Sequence, residues 1–259
     1  MPRPSPPAPI AIVGAMQEEL AALLAAMPDE RPVRAAGRAF WLGHLEGQPV
    51  VAVLSRIGKV AAATTAAVLL ERFGARAVLF TGVAGGLAPQ VRVGDVVIAT
   101  DLLQHDMDAS PLFPRHEVPL YGRSRFAADA MLADALAAAA GEALRDPGAL
   151  TGARAVADFG LAAPRVHRGL VVSGDRFVAT AVESERLRAA LPEALAVEME
   201  GAAMAQVCHD YGVPFAAVRT VSDRADDAAH ADFSRFVAAV ASRYGEAVVR
   251  GALQRLPPG

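Results

Sequence analysis

The chain has 259 residues, enough for one large domain with a sizeable core; 53% of them are hydrophobic but only 5% aromatic. Its 25 basic and 28 acidic residues leave a net charge of −3, which argues against nucleic acid or an anionic membrane as the main partner. A single cysteine, Cys208, excludes an internal disulfide and fits a reducing, cytoplasmic setting.

The opening MPRPSPPAP carries five prolines, so residues 1–8 are expected to be a tail outside one domain running from 9 to 259. The apolar run that follows is too short for a signal peptide, and the stretch 77–91 is too short and too rich in glycine to span a bilayer. Residues 10–13 read as a first buried strand ending at Gly14, with a helix over 17–27. Residues 49–56 form a strand feeding a helix over 59–73 through Gly58. Continuous apolar runs at 77–82 and 95–100 are further buried strands. Residues 168–175, 195–199 and 215–223 repeat the theme, and helices are expected at 125–144, 180–190, 201–211 and 233–253. Residues 101–124, with three prolines, form a loop too long for a plain connector, and 145–166 read as a surface excursion. Alternating strands and helices imply a largely parallel sheet covered on both faces, with ligands gathering at strand carboxyl ends.

Carboxylates sit at those ends. Glu18 and Glu19 follow the first strand, Asp175 ends another, and AVEMEGAA places Glu198 and Glu200 on either side of Met199. Asp223 closes AAVRTVSD. An unpaired ionised carboxylate is costly to bury, so each is either solvated or part of a site. In extended geometry Glu198 and Glu200 point to one face, and a helix starting near Gly201 would put Glu200 in its stabilising dipole. Arg219, Val221 and Asp223 share a face by the same alternation, and a buried Arg219 needs either a structural carboxylate partner or a polar ligand. TGVAGG at 81–86 is a glycine turn that lets backbone approach a ligand; taken alone it is only a tight turn. Neither it nor GAMQEE matches the dinucleotide fingerprint. No metal-ligand spacing, nucleophile elbow or activated cysteine appears, so no metal or cofactor is expected.

IVGAMQEEL, SRIGKVAAA, TGVAGGL, VGDVVIAT, VSGDRFV, AVEMEGAA and VRTVSD occur in the order and approximate spacing of the 5′-methylthioadenosine/S-adenosylhomocysteine nucleosidases, within the purine nucleoside phosphorylase-like superfamily. The resemblance covers residue 10 to about residue 250. It implies a single-domain, three-layer α/β sandwich with a mixed, largely parallel central sheet, a homodimer, and hydrolysis of an N-glycosidic bond to adenine and a 5′-thio-substituted ribose, a step of methionine salvage. Glu19 resembles the base that activates the attacking water, with Arg219 helping to hold it. Glu200 resembles the acid that binds the ribose hydroxyls, with Met199 against the sugar. Asp223 resembles the general acid for purine N7, supported by Ser222. Phe177 would stack on adenine and the Val178 backbone would read its edge. Ile57 and Phe233 resemble pocket walls, while Met16, Ala84 and Gly85 fall among the substrate contacts. Glu198 is left as a structural partner.

Two departures stand out. Val83 occupies a position where many members carry a hydroxyl, which leaves the water to Glu19 and Arg219. The 105–120 loop, which in the family partly completes the neighbour's pocket, differs from the commoner members. Alternatives on the same fold are a futalosine or aminodeoxyfutalosine hydrolase and a purine nucleoside phosphorylase. A non-catalytic nucleoside-binding regulator is a further reading, opposed by the co-occurrence of Glu19, Glu200 and Asp223.

Overall fold

A computed structural model describes residues 7–225 and 233–258. Most of the proline-rich tail, residues 1–6, lies outside that range. The chain begins β1 (Ile10–Gly14), α1 (Gln17–Ala25), β2 (Arg31–Ala35), β3 (Arg38–Leu45), β4 (Gln48–Leu54), α2 (Lys59–Phe73) and β5 (Ala77–Gly86). It continues with β6 (Val96–Gln104), β7 (Arg125–Ala127), α3 (Ala130–Ala143), α4 (Pro147–Thr151), α5 (Ala153–Phe159), β8 (Val166–Ser173) and α6 (Ala181–Ala190). The last elements are β9 (Ala194–Glu198), α7 (Gly201–Tyr211), β10 (Phe215–Asp223), α8 (Phe233–Phe236) and α9 (Ser242–Leu253), with a π-helical turn over Val237–Ala241 joining the final two.

The strands make one mixed sheet, and two parallel groups within it define the site. β4, β1, β5 and β10 run together, as do β6, β8 and β9. The groups run in opposite senses and meet where carboxyl ends overlap, β5 against β9 through the pair Gly85↔Val197. Chain ends bearing Glu198, Asp223 and the glycines of β5 are thereby brought together. Helices cover both faces. On one, α1, α3 and α9 bury Leu20, Leu23, Leu136, Tyr244 and Val248 against Ile12, Leu79 and Ile98. On the other, α2 presents Ala62, Thr65, Ala66, Leu69 and Leu70 at helical spacing. With α7 it covers Phe40, Val51, Phe80 and Ala217. Each fully buried Val, Leu, Ile or Phe side chain contributes about 1.5–3 kcal/mol.

Several elements depart from the sequence reading. The β2–β3 hairpin was not foreseen. Its turn, Ala36–Gly37, has φ of 44° and 70°, and the next, Glu46–Gly47, has 50° and 76°. Two consecutive positive φ values match the right-handed twist of the flanking strands, which is why a glycine ends each turn. The helix expected from residue 125 starts only at Ala130, because Arg125–Ala127 pair antiparallel with β6 through Leu102↔Phe126. Asp129 then caps α3, accepting the Leu132 N–H at 2.9 Å. β6 runs on to Gln104, so the long loop opens at residue 105, and 147–159 hold two short helices. Within the loop, Val118 joins the core while Leu112 is 84% exposed. No helix among the described residues is long and apolar enough to cross a membrane.

Candidate active site

A cleft opens at the overlapping strand ends, lined mostly by apolar residues with a few charged groups among them, as small-molecule sites are. Met16, Ile57, Ala84 and Gly85 line it, as do Phe177, Val178, Met199 and Glu200. Arg219, Ser222, Asp223 and Phe233 complete the set of expected residues on its wall. Glu19 stands just behind them, while Glu18 turns to solvent.

Glu19 lies in the first turn of α1, and its Oε2 accepts the Ala15 and Met16 N–H groups at 2.9 and 3.0 Å. Its Oε1 is buried and, among the described residues, has no hydrogen-bond partner. A Cβ added to Gly82 would sit 3.4 Å from that oxygen and 3.6 Å from Arg219 Nη1, so glycine keeps the space between acid and guanidinium open. Burial pushes the Glu19 carboxyl above its ordinary value of 4.5, while the Met16 N–H and the Arg219 charge pull it back.

Arg219 is 1% exposed. Its Nη1 donates to the Phe80 and Val218 carbonyls at 3.0 and 2.9 Å, Nη2 donates to Glu198 Oε2 at 2.9 Å, and the guanidinium lies 4.0 Å over the Phe80 ring. The structural ion pair and the position beside Glu19 therefore coexist in one side chain. Glu198 also accepts from Ser173 Oγ and from the N–H groups of Glu200 and Gly201 at the start of α7. Glu200 does stand at the N-terminus of α7 as expected, but the first N–H groups there are taken by the Glu198 carboxylate and not by its own. The chain leaves extended geometry after Glu198, with φ −136° and ψ −42° at Glu200. The two carboxylates take different partners, yet both line the cleft.

Glu200 Oε1 accepts the Gly58 N–H at 2.8 Å, with Met199 beside it on the cleft wall. Burial, then the neighbouring charge of Glu198, raises its carboxyl to about 7, against the pull of the Gly58 N–H. Asp223 follows a bulge in β10 between Val221 and Asp223. That extra residue brings both Ser222 and Asp223 to the cleft, where plain alternation would have paired Asp223 with Val221. Val221 instead is core. Ser222 Oγ donates to Asp223 Oδ2 and the Ala225 N–H donates to Oδ1, both at 2.7 Å. A Cβ on Gly85 would come within 3.0 Å of Asp223 Oδ1, which explains that glycine. Phe177 is 41% exposed at the rim and meets Phe233 edge-on, ring centroids 6.1 Å apart.

Sequence reasoning missed Arg176 and Ala15 on the cleft wall, the bond from Ser173 to Glu198, and the use of the Gly58 N–H. These depend on pairings across 25 or 142 residues, which no local pattern carries. Cys208 is buried in α7 and burial pushes its thiol up to about 12, which makes it a packing residue.

Residues 9–253 match the model of the phosphorylase superfamily. A 5′-methylthioadenosine/S-adenosylhomocysteine nucleosidase from Anoxybacillus flavithermus is 38% identical over 240 residues, which is 92% of this chain and 95% of the relative. A solved nucleosidase of that name from Neisseria meningitidis, in complex with methylthio-immucillin-A, superposes with a TM-score of 0.82 at 36% identity, covering 96% of this chain and all of the other. An S-adenosylhomocysteine nucleosidase from Streptococcus pyogenes, in complex with methylthiotubercidin, has a TM-score of 0.82 at 30% identity, over 98% of this chain and all of the other.

Proposed function

The chain belongs to the phosphorylase superfamily and, within it, to the 5′-methylthioadenosine/S-adenosylhomocysteine nucleosidases, and from that premise we propose how its own residues carry out the hydrolysis. The enzyme cleaves the N-glycosidic bond of 5′-methylthioadenosine and S-adenosylhomocysteine, releasing adenine and the 5′-thio-substituted ribose. The relatives do not favour a futalosine-type substrate.

The observation that carries the residue assignment is Glu19 Oε1, buried beside Arg219 just behind the cleft wall and without a hydrogen-bond partner among the described residues. A buried carboxylate oxygen is expected to find a donor. A water held there, with Arg219 alongside, meets that need, and a raised carboxyl pKa suits a general base. Glu200 and Met199 bind the ribose, Phe177 stacks on the base, and the Val178 backbone reads its edge. As the C1′–N9 bond breaks, its electron pair passes to the purine and Asp223 delivers a proton to N7. Water adds its oxygen to C1′ and gives its proton to Glu19. Developing positive charge on the ribose lies among Glu19, Glu198 and Glu200, and carboxylates placed there in advance stabilise it. A negatively charged Glu19 also disfavours phosphate as the nucleophile. Incubation with each nucleoside, with and without phosphate, followed by chromatography tests this. Adenine is expected in both conditions; release only with phosphate would establish a phosphorylase.

A cytoplasmic homodimer acting in methionine salvage fits the same reading, with the 105–120 loop completing the neighbour's cleft. Leu112 and Leu120 are 84% and 91% exposed on that loop, and Ile57 on the cleft wall and Val60 in α2 are exposed as well. Apolar exposure of this kind marks an interface, and two-fold pairing is its commonest form. Leu112→Asp, which disturbs no packing within the subunit, is expected to weaken the dimer at least tenfold and lower activity with it. Light scattering beside the adenine-release assay checks both; a dimeric, fully active variant would remove the loop from the interface.

A further inference from the structure

Helix α2 begins on Gly58, at φ 97° and ψ 158°, with no side-chain cap of its own. Carboxylates from distant segments meet its first two N–H groups instead. Gly58 donates to Glu200 Oε1 at 2.8 Å, and Lys59 donates to Asp175 Oδ1 at 2.7 Å. The Lys59 ammonium folds back onto Asp106 Oδ1 at 2.6 Å and Gln104 Oε1 at 3.1 Å. Asp106 Oδ2 in turn accepts the Asp175 N–H at 2.9 Å. Lys59, Asp175 and Asp106 thus close a ring of three hydrogen bonds linking the start of α2, the segment after β8 and the segment after β6. Gln104 extends it to Gln206 on α7 at 2.7 Å, the helix that Glu200 precedes. Lys59, Gln104, Asp106, Asp175 and Gln206 stand outside the lining of the cleft. The Lys59–Asp106 pair is partly shielded, with side-chain exposures of 16% and 33%, so it holds geometry better than an open surface bridge. A Cβ at residue 58 would lie 3.2 Å from Asp175 Oδ1 in a backbone region that L-residues avoid, so the approach requires glycine.

We propose that Lys59, Asp106 and Asp175 are positioning residues for ribose recognition: their ring fixes Gly58 so that its N–H orients Glu200 toward the sugar hydroxyls. This rests on the reading of Glu200 as the ribose acceptor. One Glu200 oxygen is held by Gly58, which leaves the other for the substrate. Losing the Gly58 bond would free the side chain to rotate and remove a donor that favours its ionised form.

The test compares two probes by calorimetry. 5′-Methylthiotubercidin keeps the ribose and replaces N7 with carbon, whereas adenine has no ribose. Asp106→Asn keeps an oxygen for the Asp175 N–H but turns an amide toward Lys59, releasing the ammonium; Lys59→Gln breaks the same link from the other side. Both variants are expected to weaken 5′-methylthiotubercidin about tenfold at pH 7 while adenine stays within about twofold. The deficit should grow as the pH falls to 6, and Lys59→Arg should recover most of the loss. Glu200→Gln serves as reference and should show the same selective loss. Ring variants that bind the analogue normally, or lose both probes equally, overturn the proposal while the role of Glu200 stands. A Glu200→Gln protein that binds the analogue normally instead overturns the ribose reading itself, and the proposal with it.

Discussion

Replacing Asp223 by Asn is expected to slow adenine release from 5′-methylthioadenosine by about 10²–10⁴-fold while binding of adenine is largely kept. The amide fits the carboxylate's place, since its oxygen can still accept the Ala225 N–H and the Ser222 hydroxyl can rotate to accept from the new NH₂. What is lost is the proton for N7, without which the departing purine must carry full negative charge. A riboside whose leaving group departs as a stable anion, such as nitrophenolate, should lose far less, and that contrast separates proton delivery from disturbed packing. Rates measured on both substrates, beside calorimetric binding of adenine, decide the matter. Near-normal turnover on 5′-methylthioadenosine, or equal losses on both substrates, would take the role away from Asp223.

How legible the molecule was in its sequence depended on the range of the forces involved. The strand 215–223 and the helices 59–73 and 201–211 were readable to the residue, because apolar runs and glycine stops are local signals. The hairpin was not. β2 carries Arg31, Pro32 and Arg34 on an edge where charge and proline are tolerated, so it reads as loop, and its turn to β3 is Ala-Gly, that from β3 to β4 Glu-Gly, instead of Asn-Gly or Asp-Gly. Alanine content carried the α3 prediction too far forward, although Asp129 was there as a cap signal and only pairing with β6 keeps Phe126 extended. In the site, Glu19, Glu200, Arg219 and Asp223 were visible as charges set in apolar runs. Glu198 was visible too, as a structural carboxylate, but its bonds to Arg219, Ser173 and the first turn of α7 were not, because they form across the sheet. Alternation placed Glu198 and Glu200 on one face; both do line the cleft, but the bend after β9 gives them different partners, Arg219 and the Gly58 N–H. Similarly, the bulge at the end of β10 brought Ser222 to a cleft from which strict alternation would have turned it away.

The Glu19→Gln variant is expected to lose about 10²–10⁴-fold in kcat with a much smaller change in KM, since the amide cannot take a proton from water. Its single oxygen can keep the Ala15 and Met16 N–H bonds, so α1 should start as before. Two pH profiles sharpen the test. Burial, opposed by the Met16 N–H and Arg219, holds the wild-type carboxyl above 4.5, so the acid limb of kcat/KM should lie above the ordinary carboxylate range. Glu200, raised to about 7 by burial and then by the charge of Glu198, with a smaller push from Glu19, adds a second ionisation to that limb. Stability should move the opposite way. Both groups hold their protons more tightly in the folded protein than in the unfolded chain, where glutamates titrate near 4.5. Their contribution is therefore fully present below about 4.5 and declines as the pH rises through the folded values, toward 7 for Glu200. Removing the Glu19 carboxyl should flatten that decline, by about 2–4 °C in Tm for each kcal/mol involved. A variant that turns over normally, or a wild-type acid limb at 4.5, would separate Glu19 from the attacking water. Lost activity with a flattened Tm profile would tie both to one buried carboxylate, whose ionisation disfavours the fold at the pH where catalysis needs it.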